Sequence, residues 1–198
     1  MGLTEKILVV KIWGGLGNQM FQYAAARALT IENNAALLVD TSTFVKNTIH
    51  ETPRNYRLNV FPNIGLEIVD SKIVDKIVPK FKVGFLNKLY KIFNRNIRLN
   101  KRHKIENGLI YSKITMNTDI LYLDGYWQSE KYFLSNADSI RNDFDLSYLN
   151  TNPVLESIIE KITSRESISI HVRRGDYVTN ASANAHHGTC DLDYYYRA

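Results

Sequence analysis

The stretch of residues 6–40, KILVVKIWGGLGNQMFQYAAARALTIENNAALLVD, decides the fold class. Its first segment, KILVVKIW (6–13), is apolar and rich in β-branched residues, which predicts a buried strand. The glycine-rich turn GGLGNQ (14–19) follows, and MFQYAAARALTI (20–31) has the apolar spacing of a helix. Residues 36–39 predict a second strand. Strand, helix and strand in this order form a βαβ unit, so we predict an α/β fold with a parallel sheet.

Composition and cysteine content exclude several classes of protein. The chain has 198 residues, of which 44% are hydrophobic and 23% are charged, as in ordinary globular proteins. The single cysteine, Cys190, cannot form an internal disulfide. The N-terminal apolar run Ile7–Val10 is too short for the core of a signal peptide. We therefore expect a cytoplasmic protein.

The net charge of +5 is concentrated in one part of the chain. Between Lys72 and Lys104 there are eleven lysine or arginine residues and one acidic residue, Asp75. Three interpretations stay open: a solvated surface, contact with anionic lipid headgroups, and contact with nucleic acid. No recognised nucleic-acid motif is present, so the partner we consider for this stretch is the inner membrane surface, contacted peripherally.

Weaker patterns fill the rest of the chain. They predict a short helix that ends near Pro79, a helix over residues 85–93, and an amphipathic helix over residues 152–164. Residues 119–133 predict a strand, a turn and the start of a helix. In the helix over residues 85–93, the apolar side chains of Phe85, Leu89, Ile92 and Phe93 share one face.

The glycine turn is the first candidate site, because a strand-to-helix turn directs backbone N–H groups towards an anion. The dinucleotide fingerprint G-x-G-x-x-G is incomplete, since Met20 replaces its third glycine, although Asp40 has the position of the ribose-binding acid. A nicotinamide-dependent oxidoreductase therefore stays as an alternative function. A tight turn that binds no ligand is the other interpretation. No Gly-Lys-Ser/Thr follows, which excludes a P-loop.

The second candidate site is SISIHVRRGDYV (167–178). Its first seven residues alternate like a strand, which would place His171 and Arg173 on one face. Arg174 would then begin a loop from which Asp176 can reach back to a guanidinium. Two arginine side chains at the carboxyl end of a parallel strand suit a diphosphate. A surface ion pair between Arg174 and Asp176 is the alternative interpretation.

Four motifs of this chain, in their order and spacing, resemble the bacterial alpha-1,2-fucosyltransferases. They are GGLGNQMFQYAAARAL (14–29), GYWQSEKYF (125–133), HVRRGDYV (171–178) and HHGTCDLDYYYRA (186–198). The resemblance extends from Lys6 to Ala198. It implies a GT-B-like architecture, in which two Rossmann-like halves face a cleft. Residues 1–150 would form the N-terminal, acceptor-side domain with a basic helical insertion, and residues 151–198 the incomplete start of the donor-binding domain.

The resemblance also implies an activity and a set of site residues. Such an enzyme transfers L-fucose from GDP-fucose to the 2-hydroxyl of a galactose-terminated glycan, with inversion, and uses no metal ion or other cofactor. Arg173 and Arg174 match the arginines that hold the GDP diphosphate, and His171 and Asp176 match the flanking positions. The N-terminal loop that lines the cleft is matched by Gly14, Gly15, Gly17 and Asn18, which we expect, with His171, to help bind the donor and its phosphates.

Other roles stay open from the residues alone. Asp176, Asp124 and Glu130 are candidates for the base that deprotonates the acceptor hydroxyl. Tyr126 and Trp127 could stack on an acceptor sugar, or they could be core aromatics.

The sequence predicts no metal site and leaves a second alternative function. His186, His187, Cys190, Asp191 and Asp193 fit no standard zinc spacing. The family continues well beyond the position of Ala198, so a non-catalytic fragment that binds a nucleotide or a carbohydrate is the second alternative.

Overall fold

The structure is a computed structural model, and its described residues divide into two compact units. It describes residues 6–44, 54–79, 81, 84–97, 100–108, 110–148, 153–172, 174–181, 184–185 and 188–197. Unit 1 consists of Met1–Lys46 and Arg54–Leu146, and unit 2 consists of Asn47–Pro53 and Ser147–Ala198.

Unit 1 contains a five-stranded sheet in which every pairing is parallel. The strands are β1 Lys6–Lys11, β2 Ala35–Asp40, β3 Glu67–Ile68, β4 His103–Ile105 and β5 Ile120–Asp124. Their order across the sheet is β3-β2-β1-β5-β4. The predicted α/β class with a parallel sheet is therefore confirmed, and β1 lies at its centre, where the chain order reverses.

The described residues include seven α-helices with assigned bounds. In unit 1 they are α1 Leu16–Asn33, α2 Ser71–Ile77, α3 Gly84–Ile97 and α4 Ala137–Asp143, and in unit 2 they are α5 Pro153–Thr163, α6 Gly175–Thr179 and α7 Leu192–Arg197. Helix α1 begins four residues before the predicted start at Met20, because Gly14 completes the chain reversal in a left-handed conformation with φ of 80°. Gly17, Asn18 and Gln19 therefore belong to the first turn of α1.

The core lies on both faces of the sheet. Alternation along β1 sends Leu8 and Val10 to the face covered by α1, where they meet Leu29, and sends Val9 to the face covered by α2, where it meets Val74. Each large aliphatic side chain buried in this way contributes about 1.5–3 kcal/mol to stability. The two layers fix the sheet between α1 and α2, which holds the carboxyl ends of the strands in place.

Helix α3 contacts the sheet edge through polar side chains. Asn94 is buried, and its amide donates to the His103 carbonyl at 2.7 Å and accepts from the backbone N–H of Asn100 at 2.6 Å. The hydroxyl of Tyr90 is hydrogen-bonded to His103 Nδ1 at 3.1 Å. Of the apolar side chains that the sequence places on one face, Phe85, Ile92 and Phe93 point away from this contact and are exposed. Leu89 is half-buried.

The inward polar contact predicts opposite effects for two neighbouring asparagines of α3. Asn94→Leu leaves the His103 carbonyl and the Asn100 N–H without partners, so we expect the free energy of unfolding to fall by about 2–3 kcal/mol. Asn96 is exposed on the same helix, and Asn96→Leu should change it by less than about 0.5 kcal/mol. Urea denaturation measures both. Equal destabilisation by the two variants would contradict this account of how α3 is held.

The strand predicted over residues 167–173 is wrong as far as the structure describes it. Residues 166–172 have no strand assignment and are exposed, with Ile168 at 94% of its accessible area. An extended segment becomes a strand only when a neighbour pairs with its backbone, and the described residues of unit 2 contain no strand. Helix α5, Pro153–Thr163, confirms the helix predicted over residues 152–164, of which residue 152 lies outside the described residues.

Candidate functional site

The carboxyl ends of β1 and β5 form the candidate site of unit 1. These strands are neighbours in the sheet and lie where the strand order reverses, which is where open α/β sheets bind ligands. Lys11 and Trp13 stand at the end of β1, and Asp124 and Tyr126 stand at the end of β5. The glycine turn that leads into α1 lies at the same edge.

The glycine turn is held by one buried amide. Gln19 is fully buried, and its Nε2 donates to the carbonyls of Gly14 at 2.9 Å and Asn55 at 2.8 Å. Its Oε1 accepts from the backbone N–H of Arg57 at 2.8 Å. The side chain of Gln19 therefore ties the turn to the segment at residues 55–57.

Gly14 and Asn18 are packed closely, whereas the other two glycines are open. A Cβ atom on Gly14 would lie 2.8 Å from Asn18 Nδ2, so that position needs glycine for space as well as for its backbone conformation. A Cβ atom on Gly15 or Gly17 would meet nothing within 4 Å. Asn18 Oδ1 accepts from Gln128 Nε2 at 2.7 Å, which links the start of α1 to the segment after β5.

An aromatic pair stands at the junction of β1 and β5. The rings of Trp13 and Tyr126 are stacked, with centroids 4.1 Å apart, and both side chains are half-buried. Glu106 fixes the turn beneath them, since its carboxylate accepts from the backbone N–H groups of Tyr126 at 2.6 Å and Trp127 at 2.9 Å. Gly125 permits this contact, because a Cβ atom there would overlap the Glu106 side chain.

Of the two aromatics proposed for the acceptor, the structure places only Tyr126 at the surface of this edge. Trp127 is fully buried among Leu123, Met116 and Tyr132, so its ring is a core element and offers no face to a sugar. Trp127 is therefore a core aromatic, which was the alternative interpretation from the sequence. Sequence reasoning missed Trp13, which closes the predicted first strand, and Glu106, whose contact joins positions twenty residues apart.

A cluster of charges surrounds Asp124. Its carboxylate lies 3.2 Å from Lys11 Nζ and 3.5 Å from Lys91 Nζ. Burial acts to raise the pKa of Asp124, but the nearby histidine and the two ammonium groups outweigh it and hold the pKa well below its usual range. His103 Nε2 is 3.8 Å away, beyond hydrogen-bond length, so we attribute most of this lowering to the lysines.

These contacts bear on the choice of a catalytic base. A carboxylate with a lowered pKa and two ammonium partners is a poor proton acceptor, so Asp124 serves to fix Lys11 rather than to deprotonate a hydroxyl. Glu130 is exposed in a short 3-10 turn, Glu130–Tyr132, after the aromatic pair. The side chain of Asp176 lies outside what the structure describes.

Asp40 is engaged inside the protein. The Tyr122 hydroxyl donates to Asp40 Oδ2 at 2.6 Å, and the backbone N–H of Ser42 donates to Asp40 Oδ1 at 2.9 Å. Burial raises the pKa of Tyr122, and the charge of Asp40 raises it further, so the phenol remains a donor. Both oxygens of Asp40 are therefore occupied, which argues against its use as the ribose-binding acid of a dinucleotide site.

The arginine motif belongs to unit 2. His171 and Arg174 are exposed, and Arg174 directly precedes α6, which begins at Gly175. Arg173 lies outside the described residues, so the predicted pairing of two guanidinium groups stays a prediction.

The residues considered for a metal ion lie in the same unit. His186 and His187 fall outside the described residues. Among the residues that the structure describes, no group of three His, Cys, Asp or Glu side chains could hold a metal ion.

A small cavity lies at the other end of α1. Its volume is about 150 Å³, and Leu29, Glu32, Tyr111 and Lys131 are among the residues that line it. It is smaller than typical ligand pockets and is formed by the second half of α1, which runs away from the carboxyl ends of the strands. We assign no ligand to it.

A model of glycosyl transferase family 11 matches residues 67–198. The chain belongs to glycosyl transferase family 11. The match confirms the family-level resemblance that the motifs indicated. It includes the turn after β5 and the His-x-Arg-Arg-x-Asp segment, and it begins after the glycine turn.

Two similar proteins from Escherichia coli agree with membership of glycosyl transferase family 11. The alpha-1,2-colitosyltransferase is 36% identical over 191 residues, which are 96% of this chain and 61% of the relative. The O-antigen biosynthesis glycosyltransferase WbnK is 29% identical over 203 residues, which cover 93% of this chain and 64% of the relative. The chain thus spans less than two thirds of the length of either protein. No solved structure matches it.

The Asp124 cluster predicts an acid-sensitive part of the stability of this family 11 protein. An unperturbed aspartate titrates near pH 4, and the folded pKa of Asp124 lies lower, so its contribution is complete above about pH 4 and is lost as the pH falls towards the folded pKa. We expect Asp124→Asn to lower the free energy of unfolding by about 2 kcal/mol at pH 7 and to flatten its decline below pH 4.

Asp138 provides the matched control, because it is an exposed aspartate in an ion pair with Arg141. Asp138→Asn should change stability by less than about 0.5 kcal/mol and leave the acid limb intact. Denaturation curves recorded across the acid range measure both variants. An unchanged acid limb in Asp124→Asn would show that the cluster carries no net stabilisation.

Proposed function

We propose that this chain belongs to an enzyme that transfers L-fucose from GDP-fucose to the 2-hydroxyl of a galactoside, with inversion and without a metal ion. The observation that carries the proposal is the family 11 match across residues 67–198, which contains the arginine motif. The name of the similar alpha-1,2-colitosyltransferase supports a 1,2 linkage and a deoxy sugar as the transferred group. Colitose is L-fucose that lacks its 3-hydroxyl, so the two donors differ by one polar group.

The proposal includes a GT-B-like arrangement of two Rossmann-like domains. The parallel sheet of unit 1, with helices on both faces, is compatible with the first of them. Residues 1–150 are then the acceptor-side domain, and residues 151–198 begin the donor-binding domain.

The arginine motif supplies the charge that the reaction needs. Cleavage of the bond between sugar and phosphate develops negative charge on the departing GDP diphosphate. Arginine stays protonated and presents a planar fork that matches phosphate oxygens, so Arg173 and Arg174 are suited to hold this leaving group. His171 and Asp176 flank them and would orient the two guanidinium groups. Preorganised charges of this kind typically lower a barrier by about 3–4 kcal/mol.

The edge of β1 and β5 has the chemistry of a sugar site. The stacked pair of Trp13 and Tyr126 offers an apolar surface for the C–H face of a sugar ring, and the amides of Asn18 and Gln128 lie next to it. The backbone at Gly15 and Gly17 allows close approach, because a Cβ atom at either position would meet nothing within 4 Å. We assign this edge to the galactoside acceptor. Glu130 is the candidate base that belongs to the same unit, and Asp176 of unit 2 stays the other candidate.

Arg174→Ala tests the diphosphate role. In the intact enzyme that contains this chain, we expect the rate of fucose transfer to fall at least about a hundredfold and GDP binding to weaken, because the leaving group loses a counter-charge. Arg165→Ala is the matched control, since Arg165 is also an exposed arginine of unit 2. Product formation and calorimetry with GDP measure the two effects.

Several outcomes of this experiment decide the proposal. Near-normal rates and GDP affinity in Arg174→Ala and in Arg173→Ala would refute the diphosphate role. Rates with GDP-fucose and GDP-colitose identify the donor, because a site built to bind the 3-hydroxyl discriminates strongly against a sugar that lacks it. Calorimetry with NAD tests the oxidoreductase alternative, because binding of NAD in place of GDP would favour it.

Tyr126 provides a test of the acceptor assignment. Tyr126→Ala removes half of the stacked aromatic pair, so we expect the KM for the galactoside to rise about tenfold while the KM for the donor changes little. Tyr126→Phe keeps the ring and should retain most of the acceptor affinity. The assignment fails if Tyr126→Ala raises the donor KM instead, or if Phe at this position is as damaging as Ala.

A further inference from the structure

Helix α3 has the opposite orientation to an ordinary surface helix. Its inward side carries Tyr90 and the buried Asn94, which make the hydrogen bonds to the β4 region. Its outward side carries large apolar residues: Phe85 and Ile97 are 66% and 65% exposed, and Leu86, Ile92 and Phe93 are between 44% and 47% exposed. A helix of a soluble domain normally buries such a face.

The apolar face of α3 is not part of either core cluster of the described residues. At 3.6 residues per turn, its five side chains fall within one arc of the helix, which also contains exposed Asn96 and half-buried Leu89. Isolated apolar residues are common on protein surfaces, but a contiguous apolar patch usually marks a contact with another molecule. We therefore infer that another molecule covers this face.

The charge around the face identifies the kind of occupant. Lys88 and Arg95 lie along one edge of the apolar arc, and α3 contains no acidic residue. Lys91 lies on the same side of the helix, but its ammonium group is paired with Asp124. Further exposed basic side chains are found in α2 and after α3, at Lys72, Lys76, Lys101 and Arg102. An apolar face bordered by basic residues matches a surface that combines anionic groups with hydrocarbon, and a bilayer with anionic lipids is such a surface.

Helix α5 shows that exposure of an apolar face alone does not give this pattern. Its residues Val154 and Ile162 are 69% and 52% exposed, but the helix carries Glu156 and Glu160 against one lysine, Lys161. An anionic membrane would repel these carboxylates. Of these two helices, only α3 therefore combines an exposed apolar face with positive charge.

We propose that α3 is a membrane-contact element, which rests on an anionic lipid surface with its apolar face at the boundary between headgroups and acyl chains. The basic edge then contacts the lipid phosphates, where each lysine or arginine strengthens binding about fivefold. No helix among the described residues is long and apolar enough to cross a membrane. The proposal goes beyond the glycosyltransferase function and stands independently of it.

Vesicle flotation tests the proposal with the purified chain. We expect the chain to float with vesicles that contain phosphatidylglycerol and to bind vesicles of pure phosphatidylcholine much more weakly. Phe85→Ser combined with Phe93→Ser should weaken binding to the anionic vesicles at least about tenfold. Lys88→Glu combined with Arg95→Glu should weaken it by a similar or larger factor, and added salt should do the same.

Leu134→Ser is the matched control, because Leu134 is 61% exposed in unit 1 but lies outside α3. It should leave vesicle binding unchanged. Circular dichroism checks that all variants are folded, which we expect because every substituted side chain is exposed. Sedimentation without lipid shows whether the phenylalanine variants change the oligomeric state.

Each contrary result overturns the proposal. Equal binding to anionic and neutral vesicles would show that the basic residues do not contribute to lipid binding. Loss of vesicle binding in Leu134→Ser would show that binding is not specific to α3. A dimer that dissociates in the phenylalanine variants identifies a second copy as the occupant instead. Binding of the chain to RNA, together with no binding to anionic vesicles, would identify nucleic acid as the occupant.

Discussion

The candidate site of unit 1 depends on the short connection between β1 and α1. The chain must reverse within a few residues at the carboxyl end of the central strand, and Gly14 does this in a conformation that other residues adopt only with strain. Gln19, fully buried in the first turn of α1, then satisfies three backbone groups from two loops. Because these contacts fix the turn, Trp13 and Asn18 reach the same sheet edge as Tyr126 and Gln128.

A second set of polar contacts holds the other side of this edge. Glu106 accepts both N–H groups of the turn after β5, and Asp124 anchors Lys11 from β1 and Lys91 from α3. Polar side chains are costly to bury unless every partner is present, which is why these residues act as a set. Helix α3 likewise contacts the sheet edge through polar side chains, those of Tyr90 and Asn94. Because this polar side faces inward, the apolar side of the helix faces outward.

The sequence was sufficient where local pattern and tertiary structure agree. The β1, α1 and β2 elements, the short helix before Pro79 and the helix around Phe85 all follow from periodicity and punctuation by glycine, proline and asparagine. Periodicity shows which residues of a helix share a face, but it cannot show where that face points, so the outward orientation of Phe85 was not predictable. The strand predicted at residue 167 was wrong in its described part because strand formation depends on a neighbouring backbone that no local pattern specifies. Trp13 and Glu106 were missed since their roles arise from contacts between distant segments.

The distribution of charge explains why the proposed reaction needs residues from both parts of the sequence. At the edge of β1 and β5, the ammonium group of Lys11 is already paired with Asp124, so this edge offers aromatic and amide groups more than positive charge. Such a surface suits a neutral sugar and is poorly suited to a diphosphate. Exposed Arg174, with Arg173 before it in the sequence, has the opposite character. A transfer between a charged donor and a neutral acceptor requires both kinds of surface.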